Sequence, residues 1–367
     1  MDTLGLIIKA TRKCNLRCTY CHEWRSRHER MSFETLAKMT WEAMRQNEIP
    51  RVEFIWHGGE PLLLGRGFFS QAIRLQNEFR RPGQYVRNCL QTNGTMLTGE
   101  WCTFFADNNF DIGVSLDGPP VIHDETRSSV SGGATFDSVM RGIALLKQYR
   151  LRFGVLMVLG RASLALTPDE LFDFFDCYGI QNFSLLAARP DNNPELSSSI
   201  RSEYTDSLEY CEYMTKMFDI WYNRNDKNIR IRELSSLLGA LVGKQASVCT
   251  LAGSCIGQYF HVEACGDVYH CDKYLGDKAY HVGNIMRQSF KEIRNSPELQ
   301  ALQKAEDEKI ALLKNCPFFS ICHGGCPHDR YIAERYSPEY DGKCCGQYGL
   351  IDHMSRCVER EITAALG

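Results

Sequence analysis

Lys13-Cys14-Asn15-Leu16-Arg17-Cys18-Thr19-Tyr20-Cys21 puts three thiols on one loop, spaced C-x3-C-x2-C, directly after the apolar run Gly5–Lys9. Three thiolates can hold three irons of a [4Fe–4S] cube. A cube closed by protein alone needs four, so one iron would stay open to a substrate or cofactor. A zinc site completed by His22 or His28 is the competing reading. Zinc ordinarily pairs two C-x2-C elements, and no second pair stands here.

Outward from that loop, short apolar runs alternate with amphipathic ones. Strands are expected at Gly5–Lys9, Val52–His57, Val86–Thr92, Asp111–Leu116, Arg152–Leu159 and Asn182–Ala187. Helices are expected near Ser32–Gln46, Gly67–Phe79, Gly99–Asn108, Thr135–Tyr149 and Pro168–Cys177. Such alternation argues for an α/β fold on a parallel sheet. Six units are too few for a complete eight-stranded barrel. Composition turns to Pro, Asn, Asp and Ser over Ala188–Ser199, which reads as a linker. Helices near Tyr204–Tyr222, Ile231–Val242 and Ile351–Ala365 are expected beyond it.

The cysteine loop resembles the signature of the radical S-adenosylmethionine (AdoMet) superfamily. The resemblance implies a partial (β/α)6 TIM-like barrel over residues 1–190, with AdoMet chelated to the open iron. It further implies one-electron cleavage of AdoMet to methionine and a 5′-deoxyadenosyl radical. Three more segments follow expected strands in order, where such sheets bind ligands. These are Gly58-Gly59-Glu60-Pro61, Gln91-Thr92-Asn93-Gly94-Thr95 and Ser115-Leu116-Asp117-Gly118-Pro119. The two glycines suit close backbone approach to a ligand, and Glu60 offers an acceptor for the AdoMet ammonium. By the same resemblance Tyr20, Asn93, Ser115 and Asp117 belong to the AdoMet end. Arg127 and Arg141 are candidates for its carboxylate.

Ten of the 17 cysteines fall within Cys249–Cys357. Disulfides are rare in a reducing cytosol, so metal is the better use for them. Cys255, Gly266 and Cys271, followed by Cys316-x5-Cys322-x3-Cys326, resemble the SPASM extension of radical AdoMet enzymes that modify peptides. The resemblance to anaerobic sulfatase-maturing enzymes runs over nearly the whole chain. It implies one auxiliary [4Fe–4S] cluster on Cys249, Cys255, Cys271 and Cys326. A second would use Cys316, Cys322 and Cys344 or Cys345, with Cys265 and Cys357 as further candidates. Here the chain departs from the pattern, because Leu313 stands where a full set has a cysteine. A structural zinc module is the plainer alternative. The expected organisation is bridging helices over 191–247, a SPASM domain over 248–350 held by metal more than by an apolar core, and a last helix over 351–367. Cys89, Cys102, Cys177 and Cys211 read as buried free thiols.

Asp272, directly after Cys271, matches the base position of the sulfatase-maturing enzymes, or else steadies the cluster loop. Two residues depart from that family. His57 stands where it has Gln, and many peptide-cross-linking maturases resemble the His form. Glu23 stands where a substrate-contacting Tyr is expected. The expected function is therefore oxidative modification, such as a side-chain cross-link, of a ribosomally made peptide. Formylglycine formation in a sulfatase is the alternative, and a non-catalytic electron carrier a third. A flavodoxin- or ferredoxin-type protein is the expected reductant. With a strand starting within ten residues of Met1, no N-terminal leader-binding domain is expected.

Net charge is -3, from 42 Lys and Arg against 45 Asp and Glu. That balance gives no sign of nucleic-acid binding. No apolar run reaches membrane-spanning length and no signal peptide is apparent, so a cytoplasmic place is expected.

Overall fold

The structure is a computed structural model that describes residues 3–21, 23–25, 29–45, 49–190, 204–253, 255–274, 277–337 and 339–366. Six parallel strands form its centre: β1 (Thr3–Lys9), β3 (Arg51–His57), β4 (Tyr85–Thr92), β5 (Phe110–Ser115), β7 (Phe153–Leu159) and β8 (Asn182–Ala187). All six lie within two residues of the strands read from sequence. Two short strands, β2 (Leu16–Cys18) and β6 (Arg127–Ser129), pair antiparallel beside the cysteine loop. The two-residue β9 (Arg230–Ile231) closes the far edge.

Strand phase decides what each face does. Val52, Phe54 and Trp56 of β3 are buried on one face. Trp56 packs edge-on against Phe68 and Phe69 of the helix Arg66–Phe79. Fully burying each such side chain contributes roughly 1.5–3 kcal/mol. Alternation then turns Glu53, Ile55 and His57 to the opposite, concave face. Helices on the outer face start at side-chain caps. Ser32 accepts from Thr35 N and Thr98 from Trp101 N, and Thr167 with Glu170 forms a reciprocal pair.

The sheet does not end at β1. Strand β10 (Tyr259–Glu263) pairs parallel with β1, and β11 (Asp267–Tyr269) and β12 (His281–Asn284) continue antiparallel from it. The result is one ten-stranded sheet, ordered β12-β11-β10-β1-β3-β4-β5-β7-β8-β9. Sequence reading misjudged this region as one held by metal more than by a core. Phe260, Val262, Val268, Ile285, Phe290 and Ile293 are completely buried and belong to the same apolar core as the barrel. The helices Pro297–Leu313 and Pro327–Tyr336 were also not anticipated. Most of the Ala188–Ser199 linker lies outside the described residues. Among the described residues no helix is long and apolar enough to cross a membrane.

Candidate active site

The cysteine loop leaves the carboxyl end of β1 and is held from both sides. Cys18 faces Arg127 across the β2–β6 pair. Opposite, Gly59 N donates to Thr11 O at 3.0 Å and Glu60 N to Lys13 O at 2.9 Å. A Cβ on Gly59 would lie 2.2 Å from Lys13 O, and Gly58 has φ +120. The glycines therefore let this segment pack directly against the chain's own cysteine loop.

Burial pushes the Cys14 thiol up to about 11 and Cys18 to about 12, and raises Cys21. Their ligating thiolate forms need a cation beside them. Among the described residues, no three cysteine thiols lie within 4.8 Å of one another; Asp219, His353 and Cys357 are the one potential metal-binding triplet that does. One zinc would hold thiolates at about 2.3 Å from the metal, hence roughly 3.8 Å apart. The three thiols of the loop are thus not gathered as tightly as one zinc would hold them. His22 and His28, which the zinc reading needed, lie outside the described residues.

Glu60 is completely buried. Its Oε1 accepts from Leu62 N at 3.0 Å and Thr92 Oγ1 at 2.8 Å, and its Oε2 from Asn93 N at 2.7 Å. Burial raises its pKa against these hydrogen bonds. No salt bridge meets its charge among the described residues, so the site suits an ammonium group. Asn93 Nδ2 also donates to Asn15 Oδ1 at 2.9 Å on the cysteine loop. Asp117 proves to be occupied by its own chain. It accepts from Tyr20 Oη at 2.6 Å, Thr126 Oγ1 at 3.0 Å and Val158 N at 3.2 Å. Tyr20 and Asp117 thus position the loop from inside. Ser115 accepts from Gln91 Nε2 at 2.9 Å. Arg127 donates to Tyr20 and keeps a buried Nε without a partner, an open donor for a carboxylate. Arg141 is exposed and donates to Ser138 on its own helix, away from this site.

Below the loop lies a charge cluster that the sequence did not reveal. Lys9 and His57 are register partners at the ends of β1 and β3, and Glu263 faces Lys9 from β10. Lys9 is 1% exposed. Its Nζ lies 2.6 Å from Glu23 Oε1, 2.8 Å from His57 Nδ1 and 3.4 Å from Asp272 Oδ2. Arg12 binds the other oxygen of Glu23 at 2.6 Å and pairs with Glu263. Burial opposes charge on Glu23, yet Lys9 and Arg12 hold its carboxyl below the usual range. Burial also opposes charge on Asp272, and Lys9 holds it well below. His57 is pushed down to about 4 by burial and by Lys9. It is therefore neutral, and accepting at Nδ1 fixes its proton on Nε2. Only a lysine at the last position of a strand hinted at this cluster.

Above it opens a cavity of about 290 Å³ whose walls include Tyr20, Cys21, Glu23, Leu186–Pro190, Asp272 and Lys273. Asp272 enters it from the loop after Cys271, a thiol raised by burial. Cys255 and Cys326 interact electrostatically with Cys249, and Cys271 with Cys326. Lys273 Nζ donates to Cys326 Sγ at 3.5 Å and Asp329 Oδ1 at 3.3 Å. A second group gathers Cys316, Cys322, Cys344 and Cys345. Cys265 bonds Asp267 instead, and Cys357 lies by His353 on the last helix. Of the four expected free buried thiols, Cys102 and Cys211 are buried, Cys89 is partly exposed and Cys177 is exposed.

A cysteine loop at the barrel mouth, an adjoining cavity and two further thiol groups define a radical enzyme with auxiliary clusters. The chain belongs to the radical SAM superfamily, whose model matches residues 8–175, and carries an iron–sulfur cluster-binding SPASM domain over 249–323. Iron–sulfur clusters and AdoMet are its cofactors. It is similar to the serine-type anaerobic sulfatase-maturating enzyme of Bacteroides thetaiotaomicron, at 32% identity over 93% of this chain and 87% of that one. The cysteine-type enzyme of Clostridium perfringens is 30% identical over 94% of each chain. Native anSMEcpe with bound AdoMet and Cp18Cys peptide superposes with TM-score 0.84 and 28% identity, over 99% of both chains. Streptococcus suis SuiB bound to S-adenosylmethionine shares the fold at TM-score 0.64 and 16% identity, over 94% of this chain and 77% of that one.

Proposed function

We propose that the chain oxidises a residue of a peptide or protein substrate, and that this residue is a sulfatase-type Cys or Ser converted to formylglycine. This reverses the preference drawn from sequence. Relatedness to sulfatase-maturating enzymes along the whole chain supports it. The observation that carries it is Asp272, on the Cys271 loop at the wall of the cavity and held as a carboxylate by Lys9 at 3.4 Å.

Bound in these thiol groups, the cofactors would supply a 5′-deoxyadenosyl radical that removes a hydrogen atom, and an acceptor for the electron the substrate radical must lose. The residues supply the rest. Glu60 takes the AdoMet ammonium, with Asn93 and Ser115 at the same end, and Tyr20 and Asp117 hold the loop. Cys14, Cys18 and Cys21 ligate the first cluster, and Cys249, Cys255, Cys271 and Cys326 the first auxiliary one. Asp272 receives the proton released when the substrate radical is oxidised. A flavodoxin- or ferredoxin-type protein would deliver electrons.

One observation favours a second reading, cross-linking of a precursor peptide. Glu23, where the sulfatase-maturing family resembled above has Tyr, commits both carboxylate oxygens to Lys9 and Arg12 and offers a substrate no hydroxyl. The test is anaerobic incubation of the reconstituted enzyme with AdoMet, dithionite and Cys-x-Pro-x-Arg or Ser-x-Pro-x-Arg peptides. Aldehyde formed in step with deoxyadenosine is expected. Deoxyadenosine with both peptides unchanged overturns the formylglycine reading.

A further inference from the structure

The structure assigns Cys344 and Cys345 together to the second auxiliary cluster, Cys344 supplying the ligand that Leu313 does not. The inference depends on the SPASM domain alone, not on which residue the enzyme modifies.

Leu313 ends the helix Pro297–Leu313 and is 2% exposed. Its Cδ1 lies 3.0 Å from where a Cβ on Gly324 would sit, so it packs on the glycine pair and ligates nothing. Four thiols from three segments of this region interact with one another. Cys316 follows the helix, its N–H bonded to Leu313 O at 3.0 Å. Cys322 closes the short helix Phe319–Cys322 and is buried. Cys345 reaches back onto the same turn, its Cβ 2.8 Å from where a Cβ on Gly325 would sit. Cys345 interacts electrostatically with both Cys322 and Cys344. Cys316 interacts electrostatically with Cys322 and Cys344.

Adjacent residues of a strand point to opposite faces, which would normally keep neighbouring cysteines from sharing one cluster. Here residues 342–346 form no strand, and Gly342 and Gly346 flank the pair at φ +73 and +85. The turn is what lets both thiols face the same group. Gly346 N donates to Cys344 Sγ at 3.3 Å. Four thiolates close a [4Fe–4S] cube. This cluster then has no open iron, and binds no substrate atom directly.

The test uses the full chain, reconstituted anaerobically, without peptide. Iron and labile sulfide are counted, and EPR spectra of the reduced protein are recorded with saturating AdoMet, before and after adding imidazole. The wild type should hold iron for three clusters and show no imidazole response. Cys344→Ala should either lose one cluster's iron or gain an imidazole-shifted signal, while AdoMet still alters the first cluster. Leu313→Cys combined with Cys344→Ala should restore the wild-type spectrum. If Cys344→Ala fails to fold, the double variant decides, and failure to recover the spectrum counts against the assignment. An imidazole response in the wild type, iron for two clusters only, or a Cys344→Ala spectrum and iron content equal to wild type would each overturn it.

Discussion

Lys9 Nζ stands 3.4 Å from Asp272 Oδ2, tying the last residue of the first strand to the residue that follows Cys271. An ammonium has three protons to donate, and Lys9 meets three acceptors, on Glu23, His57 and Asp272. Lys9→Met would leave those acceptors without their shared cation in a buried site. Breaking such a pair costs about 3–5 kcal/mol, at the lower end here because Arg12 still serves Glu23. Urea denaturation should show that loss, and Lys9→Arg should recover part of it.

Asp272→Asn keeps the shape of the side chain and removes its basicity. Product formation should fall about a hundredfold or more, the usual worth of a positioned base. Deoxyadenosine should still form, because AdoMet binding uses other residues. Chromatography of deoxyadenosine beside mass spectrometry of the peptide separates the two. An equal loss of both would remove Asp272 from the proton-transfer role.

Gly59→Ala places a methyl group 2.2 Å from Lys13 O, where only backbone can give way. The cysteine loop must shift, so the first cluster should be lost while the auxiliary thiols keep theirs. Iron should drop by one cluster's content, and AdoMet should no longer perturb the EPR spectrum.

Stability should fall in mild acid. Burial, with Arg127 beside it, pushes His123 down to about 4 from 6.5. Its Nδ1 accepts from Asp117 N at 3.2 Å, which requires the neutral ring. A group with a lowered folded pKa contributes stability that is complete above pH 6.5 and shrinks as pH falls toward 4. The loss is up to about 1.4 kcal/mol per pH unit in that window. Denaturation midpoints of the cluster-free protein at pH 7 and pH 5 test this, and His123→Gln should reduce the difference, with His57 contributing to what is left.

The six barrel strands were legible because strands buried under helices read as apolar runs. Strands β10 to β12 were not, since Tyr259-Phe260-His261-Val262-Glu263 and Asp267-Val268-Tyr269 mix charge and imidazole into short runs. The first cysteine loop was readable from its spacing, and the C-terminal cysteine sets were expected only through the family resemblance. The Lys9–Glu23–Arg12–Glu263 cluster was not, because its members are far apart in sequence and meet through strand register. The packing of the two glycines on the cysteine loop was hidden for a related reason: sequence shows that backbone must come close, not to what.

Pairing of β10 with β1 has a consequence for modularity. Five register positions, Gly5 to Lys9 against Tyr259 to Glu263, stitch the auxiliary region to the barrel's first strand. The two halves share one sheet and one core, so they should melt together and neither should survive excision as a folded piece. A chimera that exchanged the C-terminal region between relatives would have to match the β1 edge first. Interchangeability in this architecture therefore ends at a hydrogen-bonded seam, not at a linker.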